Sequence, residues 1–243
     1  MHTEVEGIIL KETPYSETSK VLQVVTREYG LVSVIAKGAS SLKSNLRSVS
    51  IPFLYGNFSI NYKKDKLSVL NNGKIIKLYG SNVKDIKIYA YLSYLCELTY
   101  NVLKENNDKS IFTIFRDALD KIVEGFNPRI IKNIIEFKYL DYLCITPNFD
   151  ICQKCHEIKP IYSLDGKSGG FICENCYTNE QKVSSNFDKV LKRFQDVDIK
   201  TITDIKLKKE EEIIIDTFLK EYYEKYSAVY LNSSSFLNNL IED

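Results

Sequence analysis

The sequence predicts a multidomain α+β protein: a small β-barrel, then a helical bundle interrupted by a metal-clasped hairpin. Three observations predict it. β-branched segments alternate through the first 80 residues, the apolar period lengthens to three and four after Gly80, and two Cys-x-x-Cys pairs stand seventeen residues apart within the helical part.

The strands come first. Val5–Leu10, Lys20–Val25 and Leu31–Ala36 are rich in Val and Ile, which favour sheet. A polar loop, Pro14–Ser19, separates the first two, and Arg27-Glu28-Tyr29-Gly30 makes a tight turn between the next two. Phe53–Tyr62 and Lys66–Tyr79 follow, joined by Lys63-Lys64-Asp65, and Asn72-Gly73 is expected to interrupt the last strand. About five antiparallel strands in 80 residues suit a closed barrel of the oligonucleotide-binding (OB) type, which stacks bases on aromatic rings while a basic groove tracks the backbone. Phe53, Tyr55, Phe58 and Tyr62 alternate along one strand as candidate rings, at least half of them better suited to the barrel core.

Beyond Gly80, Val83, Ile86, Leu92, Leu95-Cys96 and Val102-Leu103 mark a long helix whose start is signalled by Asn82 and Asp85. A second helix runs from about Asp108 to Gly125, and a third opens at Asn127-Pro128 and ends before Pro147. Three more are expected near Ser185–Asp196, Glu210–Tyr226 and Ser233–Ile241. The expected domains are residues 1–80 and 81–243, the second a single bundle carrying an insert at 150–178.

That insert holds Cys152-Gln153-Lys154-Cys155 and Cys173-Glu174-Asn175-Cys176. Two such knuckles around a glycine-containing hairpin (Asp165-Gly166, Gly169-Gly170) form a zinc ribbon, with one Zn²⁺ held by Cys152, Cys155, Cys173 and Cys176. Four sulfurs leave the metal no open position, so its role is structural. The alternative is a set of free or disulfide-bonded thiols. His156 is a bystander, and Cys96 and Cys144 are expected as buried thiols on apolar helical faces.

Net charge is only +1, but it is divided: residues 1–80 carry +5 and residues 81–243 carry −4. The balance points the first part toward phosphate. Lys37, Lys43 and Arg47, in or beside the polar connection Gly38–Ser50, are the leading candidates for nucleic-acid contact, with Lys20 and Lys11 behind them. No nucleotide-binding Gly-rich loop, nucleophile elbow or zinc-protease motif occurs, the two histidines are poor general bases, and Glu210-Glu211-Glu212 opens a helix, so no enzymatic activity is expected. No apolar run reaches membrane-spanning length and the N-terminus lacks a secretory pattern, which predicts a cytoplasmic, nucleoid-associated protein with no membrane partner.

The chain resembles the RecO family of recombination mediators. The likeness rests on Gly7-Ile8-Ile9-Leu10-Lys11, Tyr15-Ser16-Glu17-Thr18-Ser19-Lys20, Thr26-Arg27-Glu28-Tyr29-Gly30-Leu31, Ala36-Lys37-Gly38-Ala39, Phe137-Lys138-Tyr139-Leu140, the cysteine knuckles, and Leu231-Asn232-Ser233 leading to Phe236-Leu237. It implies an OB-fold, a helical domain and a zinc insert. It also implies binding of single- and double-stranded DNA, annealing of complementary strands, and action with RecR in loading RecA onto strands coated by single-stranded-DNA-binding protein (SSB). The SSB tail would dock on the helical domain, for which Arg129, Lys132 and Lys138 are the candidate cations. One departure stands out: Ser40-Ser41 occupy positions where the family usually has two cations, which predicts weaker binding. A general nucleic-acid module, for RNA as well as DNA, and a protein adaptor are the alternative readings.

Overall fold

The structure is a computed structural model and describes residues 1–81, 85–203 and 205–241. Five strands close the barrel: β1 (His2–Pro14), β2 (Lys20–Thr26), β3 (Gly30–Ala36), β4 (Leu54–Asn61) and β5 (Ser68–Leu78). Their order is β1-β2-β3-β5-β4, closed by β1 against β4, with β3 and β5 parallel and every other pair antiparallel. This is the OB topology. β1 is long because it serves two neighbours, pairing with β4 through its first half and with β2 through its second.

Val5, Ile9, Leu22, Val24, Val34, Phe58, Ile60 and Leu70 fill the interior. They leave a cavity of only about 10 Å³, room for one water. The barrel is therefore packed and binds nothing inside. Ile8 and Leu10 are buried on the outer face of β1, where α1 (Ile86–Glu105) lies. Asn72-Gly73 does not break β5, contrary to expectation. The strand shifts register against β4 at this point, Ser59 facing Asn72 and Ile60 facing Leu70, and Gly73 gives Phe58 and Val49 room to close over it.

Asp85 caps α1, its carboxylate accepting from Lys87 N at 2.8 Å. The expected start at Asn82 and Val83 lies outside the described residues. Asn127 caps α3 (Pro128–Tyr142), with Pro128 in the first turn as its fixed φ favours. α2 (Ile111–Val123), α4 (Phe187–Asp196), α5 (Lys209–Tyr226) and α6 (Ser233–Ile241) fall where the apolar periods put them. Glu210, Glu211 and Glu212 occupy the first turn of α5, facing its positive end.

Contacts divide the chain into two compact units: Met1–Phe126 together with the segment from Leu231 onward, and Asn127–Tyr230. The helices expected as one bundle are thus shared: α1, α2 and α6 belong with the barrel, while α3, α4 and α5 belong with the ribbon. In the first unit, the Glu97 carboxylate of α1 accepts from Asn232 N at 3.0 Å and Ser233 N at 2.8 Å, holding the start of α6. The β2–β3 turn is held in the same unit: Gly30 adopts φ +69° against Asn107, whose Oδ1 accepts from Leu31 N at 2.6 Å.

In the second unit, Phe137 packs edge-on to Phe194 and stacks on Phe218, forming an aromatic centre with Phe149 and Phe171. β6 (Ile161–Asp165), β7 (Gly170–Cys173) and β8 (Gln181–Lys182) make the ribbon sheet in the order β7-β6-β8. Its hairpin turn rests on α5: a Cβ at Gly166 would stand 2.5 Å from Phe218 O, so only glycine allows the approach. Cys144 is exposed, contrary to expectation. It lies just past the C-terminal end of α3 with φ +57°, and this left-handed turn carries it off the helix's apolar face.

Candidate metal centre and nucleic-acid interface

The knuckles bring Cys152, Cys155, Cys173 and Cys176 together, all four sulfurs within 4.8 Å of one another. The Cys155 and Cys173 sulfurs are 3.9 Å apart, and a tetrahedral ion with metal–sulfur bonds of ~2.3 Å sets its ligands ~3.8 Å apart. That separation is nearly twice a disulfide bond of ~2.05 Å. The four residues therefore fit a tetrahedral metal ion. The two knuckles treat their sulfurs differently: hydrogen bonding with Cys173 and burial push Cys176 up to about 12, whereas Cys152 is held as a thiolate. Burial pushes Cys152 up, but backbone N–H groups of Cys155, Cys173 and Lys154 aimed at its sulfur outweigh burial and hold it down to about 6. His156 adopts φ +59°, and its N–H donates to Cys152 O at 2.8 Å, which turns the first knuckle around the site.

Apart from its ligands this centre has almost no core. Its buried cluster consists of Cys152, Cys173 and Ile172, with Cys155 and Cys176 packed alongside. A sulfur-only site with every position filled holds structure and offers no place for a reacting water.

The second candidate site is the connection from Lys37 to Phe53, between β3 and β4. It contains no helix and climbs by successive turns, Ser41 N donating to Gly38 O, Ser44 N to Ser41 O and Arg47 N to Ser44 O. Ala39 and Val49 are buried and Leu46 packs against the barrel core. Pinned by these three, the loop turns Lys37, Leu42, Lys43 and Arg47 outward, all exposed. Among the described residues, Lys37, Lys43 and Arg47 have no ion-pair partner. They are cations free to meet phosphate.

The other two barrel candidates are engaged. Lys20 pairs with Glu12 at 2.7 Å, and Lys11 stands 5.9 Å from the Tyr100 ring centre. Of the four aromatic candidates, Phe53 and Phe58 are core. Tyr62 stacks on Tyr29 at 4.1 Å, and the Tyr55 hydroxyl donates to Glu6. Two of the four are thus core, and the two half-buried tyrosines already have partners within the barrel. The exposed ring of this region is Tyr15, at the β1–β2 tip. Its signal in the sequence was its place in a polar loop, where an apolar ring has no core to enter.

On α3, Arg129 contacts Asp216 at 2.5 Å and Glu212 at 3.6 Å. Lys132 is buried and meets Glu136 at 3.0 Å and Asp216 at 3.2 Å, and Lys138 donates to Gln195 O at 3.1 Å. Arg129 and Lys132 share Asp216 in one network inside the second unit, while Lys138 is tied separately to α4. Asp216, 84 residues from Lys132, is the member that local spacing did not reveal.

A packed OB-type barrel with a cationic loop, helices and a tetracysteine ribbon define a multidomain α+β protein built around a small barrel and a four-sulfur centre; among the described residues no helix is long and apolar enough to cross a bilayer. Residues 1–79 match the family model for the N-terminal part of recombination protein O, and residues 83–235 match that for its C-terminal part. The chain is 30% identical to the DNA repair protein RecO of Listeria innocua over 97% of its own length and 93% of the relative's. It is 31% identical to that of Bacillus pumilus over the same shares, and 30% identical to that of Bacillus subtilis over 99% and 95%. The chain belongs to the RecO family, whose work is DNA repair and recombination.

Proposed function

We propose that this chain is a non-enzymatic recombination mediator that grips DNA through the barrel and other proteins through its helices. It binds single- and double-stranded DNA, anneals complementary strands, and with RecR helps load RecA onto SSB-coated single strands. The observation that carries this reading is the loop between β3 and β4, where Lys37, Lys43 and Arg47 are exposed, unpaired, and fixed to the barrel by Ala39, Leu46 and Val49. Lys11 and Lys20 are the further candidates for phosphate contact, although Lys20 first has to leave Glu12.

The metal in this reading is Zn²⁺, held by Cys152, Cys155, Cys173 and Cys176. When bound it supplies a redox-inert tetrahedral cross-link and no chemistry. For the acidic SSB tail the candidates remain Arg129, Lys132 and Lys138, and a peptide carboxylate would compete there with Asp216, Glu212 and Glu136. Strand annealing of SSB-coated oligonucleotides tests the proposal. Lys37→Glu, Lys43→Glu and Arg47→Glu together are expected to abolish annealing without lowering the thermal midpoint. Unchanged annealing moves the DNA contact away from the barrel loop, and DNA affinity without annealing leaves a plain binding module.

A further inference from the structure

Two loops meet at one edge of the barrel. The β1–β2 tip is closed by Tyr15 N donating to Ser19 O at 3.0 Å. The start of the cationic loop lies against this tip: Ser40 N donates to Thr18 O at 2.8 Å, and Gly38 N to Ser19 Oγ at 3.3 Å. Each loop presents one large apolar side chain to solvent, Tyr15 at 62% exposure and Leu42 at 83%. Lys37 directly precedes Gly38, which bonds to the tip, and Lys43 directly follows Leu42, and neither cation has an ion-pair partner among the described residues. Elsewhere the barrel's aromatic rings are buried, stacked on one another or hydrogen-bonded. On the ribbon, by contrast, exposed Ile158 is next to Lys159, which Glu157 already holds at 2.5 Å.

From this juxtaposition we infer that Tyr15 and Leu42 form a stacking platform for unpaired bases, and that it gives the cationic loop a preference for single strands over duplex. The inference rests on the DNA-binding reading and adds which form of DNA the loop selects. The chemistry follows from the separation of roles. Lysines meet phosphates of either form alike, whereas a ring face can be covered only by a base whose own face is free. Tyr15 has two rotatable side-chain bonds and a tip already closed by hydrogen bonds, so ordering it on a base costs little. Leu42 supplies exposed apolar surface from the adjoining loop. The partner is thus an unpaired stretch of DNA, its backbone on Lys37, Lys43 and Arg47 and a base on Tyr15.

The test uses the full chain and two probes: a thymidine oligonucleotide carrying one 2-aminopurine, and a duplex of the same length. Affinity and 2-aminopurine quenching are read across a salt series for Tyr15→Ala, Tyr15→Phe, Leu42→Ala and Lys37→Glu. Tyr15→Ala is expected to weaken single-strand binding at least about fivefold, reduce the quenching, leave duplex affinity within about twofold, and keep the salt slope. Tyr15→Phe retains the ring and is expected to restore wild-type behaviour, while Lys37→Glu weakens both probes and flattens the slope. Leu42→Ala is expected to weaken the single strand alone, by less than Tyr15→Ala. The platform is overturned if Tyr15→Ala leaves single-strand affinity and quenching intact while Lys37→Glu still weakens binding, or if Tyr15→Ala weakens both probes equally. If Lys37→Glu is also silent and affinity ignores salt, the DNA-binding reading itself fails.

Discussion

Removing the metal is the perturbation with the most readable consequence. The ribbon tip buries Ile172 as its one apolar residue besides the ligands, worth about 2–3 kcal/mol, whereas structural zinc in small finger peptides contributes on the order of 10 kcal/mol. Without the ion the knuckles are expected to unfold, while the base of the hairpin stays docked through Phe171 on Phe149 and Gly166 on α5. Losing about 2 kcal/mol from a unit of this size lowers its thermal midpoint by roughly 10 °C. Thiol counting reads the event directly, because the six cysteines differ in access. Cys144 is exposed and reacts at once, and Cys96 is buried, its thiol pushed up by that burial, and reacts only on denaturation. With metal bound, one thiol is expected to react quickly with an aromatic disulfide reagent, and after chelation five. Elemental analysis of the untreated protein should give one zinc per chain. Five fast thiols before chelation, with no bound metal, would show that the four cysteines hold no ion.

Other outcomes follow from named contacts. Glu97 is drawn down below the usual glutamate value: burial raises it, but hydrogen bonds from Ser233 and Asn232 outweigh burial. A lowered folded value means the docking of α6 is complete above the ordinary glutamate range and is lost as pH falls through the folded value. Glu97→Gln should remove that acid dependence and cost about 1 kcal/mol after solvent screening, as followed by hydrogen exchange at α6. Lys132→Met leaves Glu136 and Asp216 without their shared cation and is expected to destabilise the second unit by about 3 kcal/mol in urea, with Lys189→Met as a neutral exposed control. Ala39→Leu overfills the point that pins the cationic loop, and DNA affinity should drop although no charge is changed.

Much of this architecture was legible because local rules decide it. Asn127-Pro128 caps α3 as its residue types require, the spacing of the two Cys-x-x-Cys pairs predicts a four-sulfur cluster, and period-two alternation places the barrel strands. What escaped was set by distant partners. Nothing near Lys132 in the sequence announces Asp216, and nothing near Lys20 shows that Glu12 across the hairpin will hold it. The sharing of helices between two units was also hidden, although one clue existed. Ile8-Ile9-Leu10 is a continuous apolar run, which a half-exposed strand does not need, and it is buried on both faces because α1 covers the outer one. Similarly, Ala39, Leu46 and Val49 look unremarkable in a polar stretch until their burial shows which cations must point outward.

Single-strand affinity measured against salt, for the wild type and for the combined Lys37→Gln, Lys43→Gln and Arg47→Gln variant, decides whether DNA lies on the β3–β4 loop. Each phosphate neutralised on a single strand contributes about 0.7 to the slope of log affinity against log salt, so three lost contacts should make it shallower by about 2. Parallel lines of equal slope would contradict the assignment of DNA to this loop.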